Sequence, residues 1–400
     1  MKMAIIGSGP LAIFCAQYFD SIGAEVVLFQ RNALGGNVRF LLEYFPQMKI
    51  DFQNQKLSLT QVWEEAIIPS IKEIEAKQLT KAAEVLRVQK RFLQIEETIP
   101  NHSRLHDLFR VIYSVNPKEA ILKQLEDNPE LFNQLGEQVI SSLHTPVESF
   151  EDFDIVIDAR GLGREALPMG PSQSWALNEL NIKSIASIFY EKTILTNFSF
   201  KEKTQILVVG NSDSAAMALL YCRDWLFEKQ ENRLTWVTPT SAEQKWTNDW
   251  LNQEVNKLMD FSREQYEKEK VIFEDQIHEW RDLEDYVKVK VPKPIEPEMK
   301  LKIFQGYNVT SVDRLLDRDG LYATLESPDF RKFALSNDLK TLATDAILVG
   351  FGLETKDSFA RGIRQDEPGY YHLDANNLDE GLKMIKKIEE KILTFFSRAQ

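Results

Sequence analysis

The stretch that decides the fold is Met1–Gln30, MKMAIIGSGPLAIFCAQYFDSIGAEVVLFQ. The apolar run Met3–Ile6 leads straight into Gly7-Ser8-Gly9-Pro10-Leu11-Ala12, and a largely apolar segment follows, closing at Gly23. AEVVLFQ is then a second apolar run. Strand, glycine turn, helix and strand in this order predict a nucleotide-binding β-α-β unit, with GxGxxA in the turn. Gly7 permits the tight turn, Gly9 lets backbone approach a pyrophosphate, and Ala12 lets helix and strand pack closely. The helix N-terminus offers unpaired N–H groups and the positive end of its dipole to phosphates. Pro10 fits there, because an N–H in the first helical turn has no intrahelical partner. An acidic residue for the ribose hydroxyls is expected about 20 residues on, and that place is taken by Gln30. Its amide can accept and donate, without the charge-assisted strength of a carboxylate.

The chain around this unit is 400 residues long, enough for two compact domains. An apolar fraction of 43% and a charged fraction of 27% are ordinary for a globular protein. Formal net charge is −13 and no basic block stands out, which argues against nucleic acid as a partner. No apolar run approaches the 18 or so residues of a membrane span, and Met1 leads directly into a strand. The expectation is a soluble cytoplasmic protein acting on a small molecule, with no membrane partner; a homodimer stays open. Cys15 and Cys222 each sit in an apolar helical pattern and belong to no CxxC pair, as buried thiols in a reducing compartment would.

Beyond Gln30 comes RNALGGNVR (Arg31–Arg39), with the paired Gly35-Gly36. FDIVIDARGLG (Phe153–Gly163), TDAILVGFGLE (Thr344–Glu354) and PGYYHLD (Pro368–Asp374) follow in that order. Together with the first turn they resemble the two-dinucleotide-binding-domain flavoproteins, which include thioredoxin reductase, glutathione reductase and the flavin monooxygenases. The resemblance spans residues 1–45, 150–240 and 300–400. It implies an α/β fold of two Rossmann-like three-layer domains, the FAD-binding one discontinuous and a NAD(P)-binding one inserted in it. The implied boundaries are 1–190 plus 335–400 for FAD and 191–334 for NAD(P). The FAD contacts carry over to Gly7, Ser8, Gly9, Pro10, Leu11, Ala12, Gln30, Arg31, Gly35, Gly36, Arg39, Arg160, Gly161 and Asp374. Two departures mark this chain: Arg160 replaces the usual threonine, and Leu373 stands where a glycine normally precedes the aspartate.

A second turn lies in QILVVGNSDSAAMALLYCRDWLFEK (Gln205–Lys229), before the apolar run RLTWVTP. Gly210-Asn211-Ser212-Asp213-Ser214-Ala215 keeps the outer positions of GxGxxA, with Ser212 as the second glycine. In resembling domains a nicotinamide dinucleotide binds here, and a serine hydroxyl can donate to its phosphate. Thr238, Pro239, Thr240 and Ser241 supply no acid at the end of RLTWVTP, which tilts NADH versus NADPH towards NADPH. Lys245 or Arg233 would then meet the 2′-phosphate.

Residues 46–150 read as mostly helical. Ser58-Leu59-Thr60-Gln61 resembles a capping box, opening a helix that Pro69 should bend or break. TKAAEVLRVQKRFLQIEE predicts a second helix, and NPKEAILKQLEDNPELFNQLGEQ two short ones. His102, His106 and Asp107 have no HExxH or cysteine context and read as a surface group, not a metal site. Residues 241–299 are highly charged, with Ile277, Trp280, Leu283 and Val287 at helical spacing: an amphipathic packed helix, or a lid or dimer contact. After the extended VPKPIEPE, the run to Ser327 predicts strand, turn and strand, with Asp319-Gly320 as a turn.

The resemblance implies a FAD-dependent oxidoreductase that takes hydride from NAD(P)H and passes electrons to a small acceptor. Disulfide reductases of this family use two cysteines beside the flavin, a pair this chain lacks. WTNDWLNQEV (Trp246–Val255) is similar to a loop of N-hydroxylating monooxygenases, which keeps a monooxygenase open as an alternative. A scaffold that binds nucleotide without turnover is the other. No residue is assigned as acid, base or nucleophile; His372, next to the flavin segment, is the best placed titratable group.

Overall fold

The computed structural model describes residues 1–91, 108–115, 147–161, 165–187, 202–240, 244–314, 320–327, 340–354, 360, 363, 367–375 and 377–397. His102, His106, Asp107, Ser241, Asp319 and the segment from Asn116 to Gln138 lie outside them. The chain divides into two compact units, Met1–Gly163 with Thr355–Gln400, and Arg164–Glu354.

The first unit is built on a wholly parallel sheet of β1 (Lys2–Ile6), β2 (Glu25–Gln30), β5 (Thr80–Ala82), β9 (Ile155–Asp158) and β20 (Tyr370–His372), ordered β20-β9-β1-β2-β5. Side-chain alternation divides its strands between two cores. Met3, Ile5, Ile155 and Ile157 face α1 (Pro10–Ser21), α4 (Ile68–Ala76) and the last helix, α9 (Leu378–Ser397). Ala4, Ile6 and Val156 face an antiparallel meander of β6 (Glu84–Arg91), β7 (Leu108–Val115) and β8 (Val147–Phe153). Helix α1 ends in a Schellman motif: Ala24 N donates to Phe19 O and left-handed Gly23 to Asp20 O, each at 3.0 Å.

Between β2 and β5 lie α2 (Asn37–Tyr44), the hairpin β3 (Lys49–Phe52)–β4 (Gln55–Ser58) and α3 (Leu59–Val62). Ser58 and Gln61 form the expected capping box, satisfying each other's backbone N–H groups. Pro69 leaves a specific mark on the helix that follows. It has no N–H for the Glu65 carbonyl, and residues Trp63–Ile67 widen into a π-turn in which Ile68 N reaches back to Trp63 O.

The mostly helical expectation for 46–150 is overturned over its described second half. Thr80–Arg91 is β5 and β6, not a helix. A β-bulge between Val85 and Arg87 inserts one residue, so the buried Val85 and Val88 fall three apart and imitate helical spacing.

The second unit repeats the plan. Its parallel sheet joins β11 (Ile185–Ser187), β12 (Gln205–Val209), β13 (Arg233–Thr238), β14 (Leu301–Gln305) and β18 (Ala346–Val349) in the order β11-β18-β12-β13-β14. A second meander, β15 (Asn308–Arg314), β16 (Leu321–Glu326) and β17 (Lys340–Thr344), shares a core with one face of that sheet. A short pair, β10 (Glu165–Ala166) with β19 (Leu353–Glu354), completes the unit. Because β11 and β18 hydrogen-bond into this sheet, the unit extends beyond the 191–334 read from the sequence.

Helix α5 (Asp213–Tyr221) is buried from Ser214 to Leu220 and continues into α6 (Arg223–Glu228). The charged stretch folds as α7 (Asp249–Asp282), a single helix of 34 residues, and α8 (Asp285–Lys288). Leu251, Val255, Leu258, Ser262 and Ile277 form its buried stripe, and Trp280 Nε1 donates to Val291 O at 3.0 Å. Among the described residues no helix is long and apolar enough to cross a membrane.

Candidate nucleotide sites

Each parallel sheet carries one glycine turn at the end of its central strand. Gly7 N donates to Phe29 O and Gly210 N to Val237 O, both at 3.0 Å. A side chain at either glycine would strike the strand on the other side. A Cβ on Gly7 would lie 2.5 Å from Ala159 O, and one on Gly210 would run into Gly350. Both positions also hold positive φ. At this level the turns are equivalent. They differ in what lies in front of them.

The first turn is open. Gly9 is the N-cap of α1, no side chain caps it, and no acid stands in the first helical turn. A Cβ on Gly9 would meet nothing within 4 Å. The first-turn N–H groups of this helix thus have no side-chain cap among the described residues, and the space beside Gly9 Cα is open. The Gly35-Gly36 loop packs onto the turn from the side. Gly35 N donates to Ser8 O at 2.7 Å, and a Cβ on Gly36 would come within 3.2 Å of Gly9 Cα. Trp63 lies against Gly35, and the Arg39 guanidinium sits over the Trp63 ring, 5.6 Å from its centroid. Arg39 Nε also donates to Leu34 O at 2.6 Å, and Arg31 pairs with Glu84 at 3.2 Å. At the end of β2, the Gln30 side-chain carbonyl is buried with no hydrogen-bond partner among the described residues. A ribose hydroxyl is the kind of donor that would satisfy it.

The strand ends beside this turn carry a charged cluster. Asp158 closes β9, an otherwise apolar and fully buried strand, in register with Ile6 on β1 and His372 on β20. Its carboxylate accepts from Arg160 Nε at 2.7 Å, from Arg160 N at 3.3 Å, and from Arg160 Nη2. His372 Nδ1 stands 3.9 Å from Asp158 Oδ2. Desolvation pushes the Asp374 carboxyl above the usual carboxylate range, opposed by His372 and reinforced by Asp158 and Glu380. Arg160, one of the departures from the flavoprotein pattern, thus belongs to a charged constellation centred on Asp158. Asp158 was missed in the sequence; a carboxylate ending the apolar run IVID was the available signal.

The second turn is occupied by its own chain. Ser212 caps α5 by accepting from Ser214 N at 3.2 Å, and its hydroxyl donates to Gly350 O at 2.8 Å. That is the hydroxyl expected to face a phosphate. Asp213 accepts from Thr247 N at 2.8 Å and from the Thr247 hydroxyl. Asn211 Nδ2 donates to Thr240 at 3.1 Å, and Gln244 Nε2 to Asn211 O at 2.7 Å. In the segment Trp246–Val255, Trp246 is buried on Trp236, Asn248 caps α7, and Asn252 brackets the Trp246 backbone. Its asparagines are spent on folding.

Cys15 and Cys222 are both free and fully buried, and burial pushes both thiols far above their ordinary pKa. No group of three metal-ligating side chains occurs among the described residues.

A glycine turn on the central strand of each of two parallel five-stranded sheets, each sheet paired with an antiparallel meander, is the fold of the two-dinucleotide-binding-domain flavoproteins. No family model and no curated protein sequence matches the chain. Among solved structures it is similar to bacillithiol disulfide reductase from Bacillus cereus, with TM-score 0.57, 12% identity and 100% of both chains covered. Lactococcus lactis thioredoxin reductase aligns at TM-score 0.54 and 12% identity over 98% of this chain and 99% of that one. Ornithine hydroxylase from Pseudomonas aeruginosa gives 0.54 and 13%, covering 99% of each chain.

Proposed function

We propose that the first unit holds FAD, that the second takes NAD(P)H, and that the chain is an oxidoreductase delivering electrons to a small acceptor. The observation that carries this reading is the N-terminus of α1 at Gly9, with no side-chain cap, and the Gln30 carbonyl at the end of the neighbouring strand, with no hydrogen-bond partner, both among the described residues. Both fit an adenine dinucleotide: helix N–H groups for pyrophosphate, an amide for ribose. FAD, when bound, supplies a centre that accepts two electrons and passes them on. The chain's own residues bind and orient. Gly7 and Gly36 allow close backbone approach, Gln30 accepts from a hydroxyl, and the cluster at Asp374 sets the charge at the strand ends.

Buried thiols argue against a protein dithiol as the route for electrons, although two of the similar structures are disulfide reductases. A small organic acceptor or dioxygen is the better fit, and two unpaired thiols suit a reducing, cytoplasmic setting. The satisfied second turn favours one alternative, a flavoprotein scaffold that does not use nicotinamide.

A visible absorption spectrum of the FAD-reconstituted protein, taken anaerobically before and after NADH or NADPH, tests the proposal. Flavin bands that bleach support it and identify the donor. Bands that persist support the scaffold reading, and failure to take up FAD at all overturns both.

A further inference from the structure

Helix α7 carries apolar side chains that its own unit does not cover. Between Ser262 and Ile277 the helix has no buried residue. Phe261, Val271 and Ile272 are nevertheless 45, 58 and 55% exposed. The outward side of a helix packed on one face is ordinarily polar throughout, so these three side chains need another explanation.

Two of them belong to a stripe. Lys257, Phe261, Glu264, Lys268, Val271 and Asp275 are alternately four and three residues apart, and all are exposed. That is the spacing of a coiled-coil seam, and it runs roughly 130° around the helix from the buried stripe. Laid antiparallel on its own copy with Glu264 against Lys268, the stripe is complementary at every layer. Lys257 then meets Asp275, and Phe261 meets Val271. The other alignments are penalised. A parallel pair sets each charged residue against its own copy. Sliding the antiparallel pair by one heptad sets Lys257 against Lys268 in one direction and Glu264 against Asp275 in the other. Lys257 already holds Glu254 at 2.6 Å, and its ammonium has further donors for a second carboxylate.

We infer that this stripe is a self-pairing surface whose occupant is α7 of a second copy of the chain, antiparallel about a twofold axis midway between Glu264 and Lys268. In that pairing Ile272 of one copy stands beside Leu258 of the other. Leu258 lines a hollow of about 650 Å³ between α6 and α7, together with Phe227 and Phe261. The two rings meet edge to face, with centroids 4.7 Å apart, and leave the hollow an apolar wall for Ile272 to cover. Burial of these apolar groups supplies the attraction, and the charged layers set direction and register. The long stems of Lys257 and Lys268 let their ammonium groups stay in water at the edge of the seam, so the pairing buries no bare charge.

The test is sedimentation velocity of the full chain over a wide concentration range, on the wild type, Glu264→Lys, Lys268→Glu and the double variant Glu264→Lys/Lys268→Glu. The wild type is expected to dimerise. Each single variant places like charges in both central layers and should raise the dimer dissociation constant about tenfold or more. The double variant restores opposite charges in those layers and should dimerise as the wild type does. An equal mixture of the two single variants should do the same, because each supplies the charge the other needs. The mixture is also the control for folding, since only intact helices can recover the pairing. A monomeric wild type would overturn the inference and leave the stripe to a different partner. Single variants that dimerise like the wild type would place the contact elsewhere and overturn it as well. Single variants that dissociate and fail to recover on mixing would reject the antiparallel register, and the inference with it.

Discussion

A methyl group added at Gly9 meets nothing within 4 Å, whereas one added at Gly210 runs into the backbone of Gly350. Gly9 also has φ −75° and ψ 170°, which alanine adopts freely. Gly9→Ala should therefore leave the melting temperature of the FAD-free protein unchanged and weaken FAD binding by about 1.4 kcal/mol, or tenfold. Gly210→Ala should cost about 1–3 kcal/mol of stability in denaturant titrations. A Gly9→Ala protein that binds FAD normally would remove the main support for the first site. Asp374 yields a prediction with a definite sign. Its carboxyl is raised in the folded state, chiefly by desolvation, so the fold holds that proton more tightly than the unfolded chain. The stabilising contribution is complete below the unfolded value and lost as pH rises through the folded one. Asp374→Asn should thus melt above the wild type at pH 7 without FAD, with the advantage gone below about pH 4. Equal melting curves at both pH values would contradict this.

Among the elements, the short helix after β4 depends on its cap. Ser58 accepts from Gln61 N at 3.2 Å, and Gln61 Oε1 accepts from Ser58 N at 2.9 Å. Ser58→Ala should lower stability by about 1 kcal/mol in a denaturant titration. Because α3 runs directly into the π-turn that presents Trp63, tryptophan fluorescence should change with it. That capping box was legible in the sequence because its chemistry is confined to four residues. So were the glycine turns, where sterics at a strand–helix junction require small residues in fixed order. Strand β6 was not legible, since one inserted residue turns a two-residue alternation into the three-residue spacing of Val85 and Val88. The cluster at Asp158 was invisible for another reason: it joins Arg160 to His372 across strands whose pairing no local pattern announces.

At the scale of the whole chain, one plan is executed twice, and the two executions have diverged at the mouth of the turn. Among the described residues no side chain caps the α1 end, while the α5 end is capped by Ser212 and tied to Thr247 through Asp213. The repeat of strand, turn and helix was readable, and so was the discontinuity of the first unit. The borders were harder to read, since the β18 motif sits in the second unit's own sheet. That discontinuity bears on how the protein is made. β20 and α9 are synthesised after every strand of the second unit, yet β20 is the partner that completes the first sheet beside β9, and Ile385, Ile388 and Ile392 of α9 fill its core. On the ribosome the N-terminal strands must wait with an unpaired edge and an uncovered apolar face while the later unit is already able to fold. The protein's exposure to aggregation is therefore greatest during its own translation, and chaperone demand should fall on the half that begins first and finishes last.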